Sequence, residues 1–222
     1  MQQTESDPAK VEIKTQSGMS VSRAIRERRA VRDYTHEPVS AGLIYQLIDS
    51  ASWAPSAMNE QPCHFTVVTD PQLLDEISRR AKAWLLKSVA AMPRPNHFRD
   101  LLRDDNFHLL YHAPALIIIA APQKTQWGIE DCALAAQNLM LAATSLGLGS
   151  CWIGFTQGWL NTPEARDLLD LSRQNLCVAP IALGHPKALL PPAPRKSPAI
   201  TWVGNAHQLH SSRNAIHPQE ES

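Results

Sequence analysis

An α+β fold is what the sequence predicts, on three observations. Helix-period and β-type segments are mixed along the chain without strict βαβ alternation, which argues against a doubly wound sheet. The 222 residues, 44% hydrophobic and 19% charged, suit one globular core. One aliphatic run, Leu116–Ala121, holds three consecutive isoleucines ahead of Pro122 and has the unbroken apolar character of a buried strand.

In chain order, Val21–Val31 and Ala41–Trp53 read as two short helices. The second repeats Leu43, Ile44, Leu47, Ile48 and Ala51 at helical spacing behind Ser40, an N-cap residue type. Between them Asp33–Pro38 is a loop, ended by a proline that biases Glu37 away from helix. His64–Thr69 is a β-type run closed by Asp70-Pro71, and a helix follows from Gln72 to about Ala91. Pro93–Asn106, with Pro93, Pro95 and three arginines, interrupts the pattern and reads as a surface connection or an excursion over the domain.

Glu130–Leu146 is so apolar that almost no polar face remains, which predicts burial on nearly all sides and an axis shared with a second subunit. Gly147 ends it. Ser150–Phe155 then reads as a strand, and Cys177–Leu183, broken by Pro180, as a last strand at an edge or a bulge. These elements give three segments: a flexible stretch over 1–19, a single domain over 20–204 with 84–112 as its lid, and a tail over 205–222, disordered or ordered on a partner subunit.

The charge sum is zero, with 21 Lys+Arg against 21 Asp+Glu, so the broad positive field that nucleic acid or an acidic membrane would require is absent. Met1–Gly18 is polar, with Glu5 and Asp7 where a signal peptide would be basic and then apolar. The longest aliphatic run, Ala113–Ala121, is about half a spanning helix. Cys63, Cys132, Cys151 and Cys177 form no CxxC pair, and the simplest expectation is a reduced, soluble, cytoplasmic protein.

Charge is concentrated locally. Arg23, Arg26, Arg28, Arg29 and Arg32 fall within ten positions, either as a solvated helix face or as a set of forked donors for an anion. A second basic pair, Arg195-Lys196, follows a proline-rich stretch far along the chain and is expected to fold back on the first. Ala54–Pro62, with two flanking prolines and Ser56, Asn59 and Gln61 between them, is either a plain turn or a rigid loop suited to orienting a flat polar ligand.

Gly147–Gly154 is not a dinucleotide fingerprint, because Trp152 replaces the third glycine and the order is helix then strand. Gly154 reads instead as a close approach of backbone to something else. His108 and His112 lack the glutamate of HExxH, and His207, His210 and His217 lie in the tail, so no metal is expected. No GxSxG or Walker loop occurs.

Arg28-Arg29-Ala30-Val31-Arg32-Asp33-Tyr34, then Ala54–Pro62, then Asp131–Phe155, then Arg195-Lys196-Ser197-Pro198, in this order and spacing, resemble the FMN-dependent nitroreductase family over roughly Val21–Val203. The resemblance implies a three-layer fold, a central mixed or antiparallel sheet flanked by helices, in an intertwined homodimer with FMN at the subunit interface. It implies that Arg28, Arg29, Arg32 and Arg195 hold the phosphate, and that Pro55, Ser56, Ala57 and Asn59 meet the flavin ring, usually across the interface. The backbone of Ile153 and Gly154 would lie near N5.

The implied activity is hydride transfer from NAD(P)H through FMN to a small-molecule acceptor such as a nitroaromatic or quinone, in ping-pong order. The cofactor would carry the chemistry, with no side chain as general acid or base. Phe98, Phe107 and Tyr111 are candidate walls of the acceptor pocket. Within the same family, dehalogenation, flavin fragmentation and peptide dehydrogenation are alternatives. A non-catalytic dimer that binds a phosphorylated ligand is a further one. Three positions depart from the family pattern: Ala30 and Ala57 stand where serines are frequent, and Ile153 where one branch has a glutamate.

Overall fold

The structure is a computed structural model that describes residues 18–89, 96–191 and 193–203. The chain divides into two units, Met1–Pro192 and Ala193–Ser222. Most of the expected N-terminal segment, the expected tail and the three tail histidines lie outside the described residues, as do Pro93 and Pro95. Within the second unit, residues 193–203 are exposed and carry neither helix nor strand.

The first unit runs α1 (Val21–Glu27), α2 (Ala41–Ser52), a 3-10 turn (Ala57–Asn59), β1 (His64–Val68), α3 (Pro71–Val89), α4 (Asn96–Arg103), β2 (Ala115–Pro122), α5 (Gly128–Ser145), β3 (Gly149–Trp152), α6 (Gly154–Leu160), α7 (Pro163–Leu169) and β4 (Asn175–Gly184). The four strands form one sheet in the order β1-β2-β4-β3, and all three pairings are antiparallel.

Both faces of the sheet are covered, which is why β2 shows no apolar-polar alternation. Ile117, Ile119 and Ala121 belong to a core shared with Ile44, Leu47 and Ala51 of α2 and Cys132, Ala135, Ala136 and Leu139 of α5. Leu116, Ile118 and Ala120 face the opposite way, into a core with Ile77 and Ala81 of α3 and Trp159 and Leu160 of α6. Each fully buried isoleucine contributes about 1.5–3 kcal/mol to this arrangement. The layers are therefore helix, sheet, helix. Leu102, Leu109 and Leu110 are fully buried in the second core, and they root the 84–112 segment in it.

The caps follow the local chemistry. The Oγ of Ser40 accepts the N–H of Leu43 at 3.3 Å, as expected, and Ser20 and Thr162 cap α1 and α7 in the same way. Pro163 sits at the first position of α7, where its missing N–H costs nothing.

Two boundaries differ from the sequence reading. The first helix stops at Glu27 instead of reaching Val31, because Arg28 turns extended (φ −54°, ψ 127°) and the chain joins the open side of β3. Ala30 bridges Ser150 there, and Val31 donates to the Ser150 carbonyl at 3.0 Å. β3 ends at Trp152, and Gly154 opens α6, so Phe155 is helical. β4 is an interior strand. Its proline is accommodated beside a bulge, since Ile119 pairs with Ala179 and Ala120 with Cys177, leaving Val178 unopposed.

Candidate functional site

The strand-like course of residues 28–32 decides what each arginine does, because residues two apart on an extended chain share a side. Arg29 faces one way and is spent on the backbone. Its Nε donates to the carbonyl of Pro191 at 3.0 Å, and its Nη1 to those of Arg26 and Arg28 at 2.6 and 2.7 Å. Arg28 and Arg32 both act electrostatically on the buried thiol of Cys151. Among the described residues neither makes an ion pair with a carboxylate. Arg32 also stands 5.9 Å from the ring centre of Tyr111. Burial pushes the Cys151 thiol up, and the two arginines oppose that shift. Tyr34 anchors the run from behind, donating its hydroxyl to the Val31 carbonyl at 2.7 Å.

The Ala54–Pro62 loop is held in an unusual shape. Met58, Asn59 and Gln61 all take left-handed backbone angles, with φ of 52°, 55° and 50°. For side chains larger than glycine this costs of order 1 kcal/mol per residue, and such strain persists only where the surroundings enforce it. The enforcement is visible. Ser56 Oγ accepts the N–H of Gln61 at 2.9 Å, and its carbonyl accepts that of Asn59 at 3.0 Å. Gln61 Nε2 donates to Asn59 Oδ1 at 3.1 Å. Asp131 Oδ1, on the first turn of α5, accepts the N–H of Ala57 at 3.0 Å. Pro55 and Asn59 are exposed, Ser56 and Ala57 half-buried, and Met58 stands 92% exposed at the tip.

The third element is the β3–α6 junction. Ile153 is buried and its N–H is committed to the Pro180 carbonyl at 2.8 Å. Gly154 is exposed at the start of α6, and a Cβ built on it meets nothing within 4 Å. Gly149 contrasts with it, since a Cβ there would lie 2.8 Å from Val31. Nothing within the chain's described part requires Gly154 to be glycine.

Tyr111 is presented by a second strained turn, in which Tyr111 and His112 have φ of 55° and 54°. The Nδ1 of His108 accepts two amides of that turn, Leu110 at 3.2 Å and His112 at 3.1 Å, so Nε2 carries the proton and faces Asp75 Oδ1 at 3.2 Å. Burial and the stacked His112 ring hold His108 neutral, with its pKa lowered to about 4. Asp75, His108 and His112 could bring three ligand atoms within 4.8 Å of one another. The proton at Nε2 stands in the way of a metal there.

A family model described as the nitroreductase family matches residues 25–185. The chain belongs to the nitroreductase family. A relative from Methanothermobacter thermautotrophicus, provisionally assigned as an NADH dehydrogenase/NAD(P)H nitroreductase, is 30% identical over 77% of this chain and 79% of its own. A nitroreductase from Bacteroides fragilis, solved with bound FMN, is 32% identical, with a TM-score of 0.73 over 84% of this chain and all of that one. An iodotyrosine deiodinase bound to FMN and 3-iodo-L-tyrosine shares the fold alone, at 22% identity and a TM-score of 0.68 over 84% of this chain and all of that one.

Within the nitroreductase domain, Arg28 and Arg32 both act on the Cys151 thiol, and the structure sets Arg29 apart on main-chain carbonyls. Arg195 is exposed in the second unit. Of the candidate walls, Phe107 meets Tyr111 edge to face at 5.9 Å, while the side chain of Phe98 lies outside the described residues. Sequence reasoning missed Asp131 and His108 as the groups that hold the two strained turns. The sequence signal for Asp131 was the acidic pair Glu130-Asp131 at the start of a largely apolar helix, and only the structure shows which of the two is buried.

Proposed function

We propose that this chain is an FMN-dependent oxidoreductase, working as a homodimer, that passes hydride from NAD(P)H by way of flavin N5 to an electron acceptor such as a nitroaromatic or quinone, in ping-pong order. The observation that carries the reading is the Arg28/Arg32 pair, two guanidinium groups with no carboxylate partner among the described residues, on the same side of a strand-like run. A phosphate ester satisfies such a pair by bidentate bonds, and without an anion the two charges only repel. The buried Oγ of Ser150, on the strand that this run joins, has no hydrogen-bond partner and fits a polar ligand there.

FMN, when bound, supplies the redox chemistry: it takes hydride from a reduced nicotinamide and returns electrons to an acceptor. The chain's part is to bind and orient. Arg28 and Arg32 would hold the phosphate, and the Arg29 guanidinium keeps its strap on the backbone with only its remaining N–H groups left to contribute. The pinned loop of Pro55, Ser56, Ala57 and Asn59 would offer a rigid edge to the ring of the partner subunit's cofactor. At the β3–α6 junction Ile153 has no free N–H, so the backbone donor near N5 would be Gly154, which lies ahead of the first intrahelical bond. No side chain here is assigned as a general acid or base.

The dimer is supported by apolar surface that a monomer seldom leaves in water. Tyr45 on α2, Trp53 at its C-terminal cap, Met58 on the loop, and Ile129 and Leu134 on α5 are all exposed in the single chain. No described helix is long and apolar enough to cross a membrane, and the cytoplasmic location remains part of the proposal.

The test is an absorption spectrum. Purified protein should carry a flavin spectrum that NADH or NADPH bleaches and a nitroaromatic or quinone restores. Protein that is colourless and cannot be reconstituted with FMN would overturn the reading. A flavin bleached by neither nicotinamide would leave the phosphate site and remove the activity. Because the same fold is shared with a deiodinase, a panel of nitro, quinone and halogenated acceptors is what assigns the substrate.

A further inference from the structure

Away from the arginines, the sulfurs of Cys63 and Cys132 lie 3.8 Å apart, although 69 positions separate them in sequence. Both thiols are free. A disulfide needs about 2.05 Å, so the sulfurs, 3.8 Å apart, must close by roughly 1.8 Å. The pair is asymmetric. Cys63 is half-exposed at the end of the strained loop, and Cys132 is fully buried in the first turn of α5.

A small pocket of about 120 Å³ leads to Cys63, with Pro55, Ser56, Gln61 and Asp131 among its walls. It is large enough for a few water-sized molecules and too small for a bulky oxidant. The shared hydrogen bond lowers the pKa of the Cys63 thiol and, with burial, raises that of Cys132, which makes Cys63 the better nucleophile of the two. Cys151 and Cys177 are buried and far less suited, each raised chiefly by desolvation.

We propose that Cys63 and Cys132 form a reversible oxidative modification site that reacts with small hydroperoxides and closes to an intramolecular disulfide. In the first step the Cys63 sulfur attacks the terminal oxygen of the hydroperoxide. The O–O bond breaks, the alcohol or water leaves with a proton, and Cys63 becomes a sulfenic acid. In the second, the Cys132 sulfur attacks that of Cys63, the S–O bond breaks, and water leaves with the Cys132 proton as the S–S bond forms. Two electrons pass from the two thiols to the peroxide, and a thiol reductant restores them. The new bond would tie the loop's end to the helix that already holds Ala57 through Asp131.

The test uses the full-length protein both as purified and freed of flavin, because Pro55 and Ser56 of the pocket are also proposed to face the partner subunit's cofactor; its readout does not depend on turnover, so its failure is distinct from failure of the proposed activity. Hydrogen peroxide is titrated in, remaining thiols are alkylated, and peptides are mapped without reduction. The expected result is loss of two thiols of the four, a cross-linked Cys63–Cys132 peptide, full recovery with dithiothreitol, and modification of Cys63 at least ~10-fold faster than of Cys151 or Cys177. In Cys132→Ser, Cys63 should stop at a sulfenic acid that dimedone captures, and in Cys63→Ser the remaining thiol at 132 should resist oxidation. Four intact thiols under conditions that oxidise a surface dithiol peptide would overturn the proposal. So would a Cys63 that passes to sulfinic acid or pairs between chains while Cys132 stays reduced.

Discussion

The carboxylate of Asp131 accepts the main-chain N–H of Ala57 at 3.0 Å, joining the first turn of α5 to a loop 74 positions away. Asp131 is 3% exposed, and its second oxygen has no partner. Its place in the first helical turn compensates part of the burial, because the helix dipole favours a negative charge there. The bond sits next to three residues in left-handed conformations, so it opposes the loop's tendency to relax.

Asp131→Ala should therefore loosen the loop before it unfolds the domain. The lost bond leaves a half-buried amide without its partner, at a cost of about 1 kcal/mol. Thermal denaturation should register that cost, and FMN affinity, followed by flavin fluorescence, should fall by about tenfold or more. Asp131→Asn keeps an acceptor at the same place and should recover most of the affinity. Equal loss in both variants would mean that the charge matters and the loop tie does not.

The arginines should separate into two roles. Removing Arg28 and Arg32 together should release FMN, since charge-assisted bonds to a phosphate contribute about 1.5–3 kcal/mol each. Arg29→Ala should mainly lower the melting temperature, because it frees three carbonyls that its guanidinium now holds. Flavin retention after dialysis and differential scanning fluorimetry on the same samples distinguish the two. An Arg29 variant that loses flavin at unchanged stability would contradict the assignment.

His108 predicts a pH dependence with a definite sign. Its pKa is depressed to about 4 in the folded chain, through burial first and the His112 ring second, opposed by Asp75. An unfolded histidine takes up its proton near 6.5. The stability tied to neutral His108 is thus complete above about 6.5 and is lost as pH falls toward 4, with about 2 kcal/mol gone by pH 5. Urea denaturation at pH 7.5 and pH 5 should show the decline. His108→Ala should be less stable at both and nearly flat between them. A slope unchanged by the substitution would assign the effect to other groups.

The layers of this fold were legible in the sequence because they depend on composition within single segments. Leu116–Ala121 and the apolar helix after Gly128 announce a covered sheet wherever their partners lie. The end of the first helix was not legible: residues 28–31 have adequate helix propensity, and what pulls them straight is the Ser150 backbone, more than a hundred positions on. The same distance conceals the split between Arg29 and its neighbours. The strained turns were hidden for another reason. Met58, Gln61 and Tyr111 are not residues that signal a left-handed backbone, and the groups that hold them there, Asp131 and His108, are themselves remote or framed by unremarkable sequence. The family was legible because the order and spacing of the first three segments, all within the residues 25–185 that the family model matches, are properties of the chain itself.

Gly154 provides the most direct measure of how close a ligand comes to the backbone. Open space surrounds its Cβ position in the chain, so Gly154→Ala meets no internal clash, and the added methyl at the first position of α6 slightly favours the helix. The unfolding free energy of the flavin-free variant should match the wild type within the ±0.5 kcal/mol typical of surface changes, read by urea denaturation. If the Gly154 amide lies against the flavin, the same methyl must collide with the ring. FMN affinity should then drop by about tenfold or more, or the bound flavin should be reduced by NAD(P)H correspondingly more slowly in a stopped-flow experiment. An alanine variant that binds and reduces FMN like the wild type would place the flavin elsewhere and leave Gly154 as an ordinary helix start.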